Sequence, residues 1–223
     1  MTRNEITVKA LLDLSHTMAS ALFERFIYPW EALPEIGIFI LSAGAQLSLD
    51  DFRLEGENIW IHKSVQIPPT VSMKGPLIIC EGAEVRQCAF FRGNVLIGKN
   101  AVAGNSCEFK NSILFDAVQT PHYNYVGDSV LGYKSHMGAA SLTSNVKSDK
   151  KNVIVHLDEE DLPTGMKKFG AIIGNEVEVG CGSVLNPGTV IGSGTNIYPL
   201  SSVRGCVPAD SIYKQNGSIV LKY

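Results

Sequence analysis

Cysteine is sparse in this sequence and lacks any paired spacing. Cys80, Cys88, Cys107, Cys181 and Cys206 are odd in number, widely spread and without a Cys-x-x-Cys motif. This excludes a disulfide framework and a zinc cluster, so they are read as small packing residues and no metal is expected. Positive charge is not in excess either, at a formal net charge of -3. Nucleic acid and anionic membrane are therefore not expected partners, and an anionic ligand has to be met by a few placed cations. Long hydrophobic runs are missing as well. The first ten residues are polar and carry Arg3, Glu5 and Lys9, which fits neither a signal peptide nor a membrane span, so the expected location is the cytoplasm.

What the sequence has instead is a short period. Steps of six from Ile61 give Ile67, Met73, Ile79, Val85, Phe91, Ile97, Ala103, Phe109 and Phe115, apolar at every step. Four residues further into each hexad stand Val65, Val71, Leu77, Ala83, Ala89, Val95, Ala101, Cys107 and Ile113. Such a period marks a solenoid in which three hexads close one triangular coil and coils bury one another. The pattern slips after Phe115 and resumes at Tyr125, Leu131, Met137 and Thr143, so a ten-residue step is expected to bulge between Phe115 and Tyr125. A third run at Ile173, Val179, Leu185, Ile191, Ile197 and Val203 completes about six coils.

Two stretches leave the repeat. Leu11, Leu14, Met18, Leu22 and Phe26 recur at helical spacing, which predicts an amphipathic helix over 5–28, and a region covering one end of the solenoid. Residues 144–170, rich in charge and carrying Pro163 and Gly165, predict an extruded loop with a strand near 152–157. The expected organisation is an N-terminal helical cap region over 1–58, a β-helix over 59–208 and a C-terminal tail over 209–223.

Periodicity alone does not give the hand of the coil. The segments Ile97-Gly98-Lys99-Asn100-Ala101-Val102 and Ile191-Gly192-Ser193-Gly194-Thr195-Asn196 resemble the repeat of hexapeptide acyltransferases. That resemblance implies a mainly β fold, a left-handed parallel β-helix of hexapeptide repeats with an N-terminal helical cap. The run Pro121-His122-Tyr123-Asn124-Tyr125-Val126-Gly127-Asp128, with Arg92, Lys110 and Met137-Gly138-Ala139, narrows it. So does the later segment Lys167-Lys168-Phe169-Gly170-Ala171-Ile172-Ile173-Gly174. Together they resemble the acetyltransferase half of bifunctional UDP-N-acetylglucosamine pyrophosphorylase/glucosamine-1-phosphate N-acetyltransferases, with a loop similar to the archaeal sugar-1-phosphate enzymes.

The resemblance implies roles for particular residues. His122 would be the general base that takes a proton as a sugar amine attacks acetyl-CoA, a task suited to an imidazole. Arg92 and Lys110, eighteen residues apart and so stacked on one corner, would hold the sugar phosphate, with Lys168 nearby. Tyr125 and Asn145 would contact the sugar or the reacting amide, although Tyr125 also falls in an inward slot of the repeat. His136 replaces a sugar-binding Asn of the family, Val146 a Tyr, and Cys181 a Ser that contacts acetyl-CoA. A terminal Ser-Arg-x-Pro-Gln motif is replaced by Tyr213-Lys214-Gln215-Asn216. The uridylyltransferase signature is only faintly echoed at Leu41-Ser42-Ala43-Gly44-Ala45-Gln46, so that activity is not expected.

The function implied is an acetyl-CoA-dependent N-acetyltransferase of glucosamine or galactosamine 1-phosphate, working as a homotrimer with active sites between subunits. Two other readings stay open: a non-catalytic β-helix that binds a sugar phosphate, and an O-acyltransferase with a different acceptor.

Overall fold

A computed structural model describes residues 1–222. The hexads close into the left-handed parallel β-helix expected of them. Three columns of inward side chains run along it. The first face stacks Ile61, Ile79, Ile97, Leu114, Leu131, Ile173, Ile191 and Val207. The second stacks Val85, Ala103, Thr120, Met137, Val179, Ile197 and Tyr213. The third stacks Met73, Phe91, Phe109, Val126, Thr143, Leu185 and Val203. Each rung is hydrogen-bonded to the next, so the backbone is satisfied while like side chains pack on like. The two ends of the stack are closed by antiparallel strands, Phe52–Gly56 against Ile59–His62 and Ile219–Leu221 against Ser211–Tyr213.

The expected bulge between Phe115 and Tyr125 does not form. Inward positions there are Phe109, Leu114, Thr120, Val126 and Leu131, so two single-residue omissions replace the ten-residue step and hide a complete hexad. The first face accordingly has more rungs than the roughly six coils the hexads suggest. Thr120 disguised that hexad by placing a polar residue in an aliphatic slot, where its hydroxyl donates to the Val102 carbonyl at 2.8 Å. Each omission tightens a corner: the strands Glu108–Leu114 and Tyr125–Leu131 continue without a break around it, from the third face into the first. The tightened corners sit at Asn111 and Asp128, both at φ 48, a left-handed backbone that Asn and Asp tolerate better than other non-glycine residues. Phe115 consequently points outward, and Tyr125 is not the inward residue of its strand.

The N-terminal region covers a side of the solenoid, not its end. Outward residues of the first face, Trp60, Ile78, Leu96, Ile113, Val130, Ile172 and Val190, form an apolar stripe that is buried throughout. Helix Ile36–Gly44 lies over this stripe, so close that a Cβ on Gly44 would come within 2.4 Å of the Trp60 ring. Phe23 packs on Phe115, with ring centroids 5.5 Å apart. Further along, the Leu11 carbonyl accepts from the Asn175 amide at 3.1 Å and the Ser193 hydroxyl at 3.2 Å. The helix predicted over 5–28 is broken into short turns at Arg3–Ile6, Val8–Leu11, Leu14–His16 and Ser20–Phe23. Thr7 and Asp13 accept the amides of Ala10 and Ser15, capping new turns where one long helix would have continued.

Residues 144–170 leave the repeat but fold back. Ile154–His156 and Asp161–Pro163 form an antiparallel pair, and Val153 and Val155 are fully buried. Arg3 holds this hairpin through both oxygens of Glu160, each at 2.6 Å.

Candidate active site

Outward side chains of the third face gather four of the expected residues. Arg92 and Lys110 follow the inward Phe91 and Phe109, so they occupy consecutive rungs of one edge. Arg92 Nη1 donates to Glu108 at 2.6 Å. Lys110 Nζ donates to both carboxylate oxygens of Asp128, at 2.8 and 3.0 Å. Asn145 Nδ2 donates to Asp128 Oδ2 at 2.5 Å and to the Tyr125 hydroxyl at 3.1 Å. The Tyr125 ring lies across Gly127, where a Cβ would meet its hydroxyl at 2.3 Å, so only glycine lets the phenol reach Asn145. Burial, followed by the charges of Asp128 and Glu108, raises the Tyr125 pKa and keeps the phenol a hydrogen-bond donor.

Asp128 organises this cluster, and the sequence reading gave it no role. It is 4% exposed and also accepts Asn111 Nδ2 at 3.1 Å. Asn94, Asn111, Asp128 and Asn145 form a corner ladder in which each amide donates to the next or the previous rung. Their spacing of seventeen was present in the sequence, but it becomes a signal only when the coil is known to be one residue short. Both ends of the 144–170 segment are anchored here, because Phe169 N donates to Asn145 O at 3.0 Å and Gly170 N to Asp128 O at 2.8 Å. Lys168 is exposed immediately before that anchor.

His122 lies at the end of strand Gln119–His122, on the corner where the second face meets the third. Its ring is exposed and makes no hydrogen bond among the described residues. The backbone beneath it is fixed. Buried Asn124 accepts from the His122 amide at 3.2 Å and donates to the carbonyls of Gly138 at 2.9 Å and Ser141 at 3.0 Å. Gly104, one rung away, has no room for a Cβ, which would stand 2.1 Å from the Pro121 carbonyl carbon.

Two expected residues do not join this cluster. His136 faces outward on the second face, where its Nδ1 lies 2.8 Å from Glu178 Oε2. Cys181 is exposed on the corner column of His122, two rungs further along. Between them, Gly104, Pro121, Gly138 and Gly180 follow the inward residues and leave a strip of the second face almost free of side chains. Of the other cysteines, Cys80 and Cys107 are buried as packing residues and Cys88 is exposed. No cluster of three metal-ligating side chains occurs among the described residues, and none of their helices is long and apolar enough to cross a membrane.

Comparison with known proteins agrees with the motif. Residues 73–157 match the family described as GMPPB C-terminal domain. The bifunctional protein GlmU of Methanococcus aeolicus is 36% identical over 175 residues, covering 70% of this chain and 42% of that protein. A bifunctional sugar-1-phosphate nucleotidylyltransferase/acetyltransferase of Sulfurisphaera tokodaii is 32% identical over 167 residues, covering 66% of this chain and 41% of that protein. The chain thus spans less than half the length of these relatives. Among solved structures, the polySia-specific acetyltransferase NeuO aligns with a TM-score of 0.48 at 16% identity, over 78% of this chain and 82% of that one. The resemblance to sugar-1-phosphate acetyltransferases read from the His122 to Asp128 segment is borne out by the two curated relatives.

Proposed function

We propose, with that kinship as premise, that the chain is an acyltransferase that moves an acetyl group from acetyl-CoA to the amine of a hexosamine 1-phosphate, glucosamine or galactosamine 1-phosphate, in the cytoplasm. One observation carries the reading: an exposed imidazole without an internal partner stands beside a face whose cations sit on adjacent rungs. His122 accepts the proton as the sugar nitrogen attacks the thioester carbonyl, and the proton then passes to the departing thiolate. Arg92 and Lys110 exchange their carboxylate partners for the acceptor phosphate, a swap of charge-assisted bonds. Tyr125 and Asn145 orient the sugar. The bare strip of the second face suits an extended thioester chain passing Cys181.

The separation of His136 and Cys181 from the Arg92 cluster supports a homotrimer, in which a neighbour's second face is laid against this third face. Light scattering tests it, and a monomer at micromolar concentration argues against a shared site. A second reading, a sugar-phosphate-binding subunit without catalysis, is favoured by the carboxylates that already neutralise Arg92 and Lys110. Mass spectrometry of purified protein incubated with acetyl-CoA and a panel of amino-sugar 1-phosphates separates the two. Acetylated product supports the enzyme, whereas binding without product for every acceptor supports the subunit.

A further inference from the structure

The edge of the third face that carries Arg92 and Lys110 continues through Gly127, Ser144 and Asn186 to Arg204. At its far end lies a cleft of about 280 Å³ whose polar lining is Ser144, Lys147, Ser148, Asp149, Asn186 and Arg204. The electrostatics there differ from those of the first cluster. Arg204 has no carboxylate partner among the described residues and spends one N–H on Asn186 Oδ1 at 3.3 Å. Lys147 Nζ is 3.4 Å from Asp149 Oδ2, a loose ion pair. The hydroxyls of Ser144 and Ser148 donate no hydrogen bond among the described residues. Donors from a strand, from the start of the inserted segment and from a strand two rungs later therefore face one volume with their capacity largely unspent.

We propose that this cleft is a second anion-binding site, taking a phosphoryl group separately from the acceptor phosphate. The guanidinium of Arg204 presents a fork matched to two oxygens, with Lys147 as a point charge and the two hydroxyls completing the shell. At about 4.8 Å per rung, Ser144 is roughly 10 Å and Arg204 roughly 19 Å from the Lys110 rung, too far for one phosphate to span. Asp149 opposes the anion from the rim. Its pKa is lowered by the Lys151 amide and by Lys147, so it stays charged, and its removal acts in the opposite direction to loss of Arg204.

The test is calorimetric titration with inorganic phosphate at constant ionic strength, in the Arg92→Ala/Lys110→Ala double variant, which silences the first cluster. Saturable binding is expected there. Adding Arg204→Ala should weaken it roughly tenfold to a hundredfold, and adding Asp149→Asn should tighten it. Absence of saturable binding in the double variant, or binding indifferent to Arg204→Ala, overturns the proposal whatever reaction the chain performs. If the double variant does not fold, the parent is titrated with Arg204→Ala and Asp149→Asn alone. Both replace exposed residues, and effects of opposite sign are still required.

Discussion

The first and third faces of the solenoid have the same inward construction and opposite exteriors. On the first, the outward column from Trp60 to Val190 is apolar and lies beneath the N-terminal segment. On the third, the outward edge reads Arg92, Lys110, Gly127, Ser144, Asn186 and Arg204 and is not covered in this way. The backbone ladder fixes where side chains stand, and only the outward residues decide whether a face becomes core or binding surface. Function is thus written on positions that the repeat leaves free.

The comparison breaks most sharply at His122. His122→Ala should lower kcat for acetyl transfer by about 10²–10⁴-fold with an unchanged thermal midpoint, since the ring is exposed and outside the packing columns. Turnover equal to the parent in a folded variant would remove the base from the mechanism. On the covered face the effect should be the reverse. Leu96→Ala, under helix Ile36–Gly44, should cost about 2–5 kcal/mol in denaturant unfolding while the folded fraction keeps its acceptor affinity.

Lys110→Ala sharpens the contrast. It should weaken acceptor binding by the equivalent of about 1.5–3 kcal/mol, read as a higher acceptor KM with the acetyl-CoA KM little changed. Asp128→Asn should disturb both acceptor binding and the anchoring of residues 144–170, measurable as faster proteolysis of that segment. Equal proteolysis of parent and variant would show that the segment does not depend on the ladder. The smallest effect is expected at Tyr125. Its folded pKa lies above the unfolded value, so its contribution to stability is complete below about pH 10 and is lost as pH rises through the folded value. Tyr125→Phe should flatten that alkaline decline, seen in unfolding midpoints between neutral and high pH.

The sequence exposed the repeat because inward slots must be apolar, and it exposed His122, Arg92 and Lys110 through their motif. It concealed the hexad at Thr120 and Asn124, where the interior uses hydrogen bonds in place of aliphatic packing. The apolar stripe on the first face recurs at intervals of seventeen and eighteen on either side of the 144–170 insertion, which separates Val130 from Ile172 and breaks the spacing. The Asn94 to Asn145 ladder needed the true coil length. The N-terminal turns defied their apolar spacing because Thr7 and Asp13 offered the backbone local partners.

A stack of coils in which each touches only its neighbours tends to fray from its ends. Here one strip of chain crosses the stack, from Gly44 over Trp60 in an early rung to Leu11, bonded to Ser193 across 182 residues of sequence. Rungs that would otherwise open one at a time are fastened to a common strap, so opening an interior rung means lifting what holds the others. Amide exchange along the first face should then be nearly uniform from rung to rung, and the solenoid should melt as a single cooperative unit despite its one-dimensional architecture.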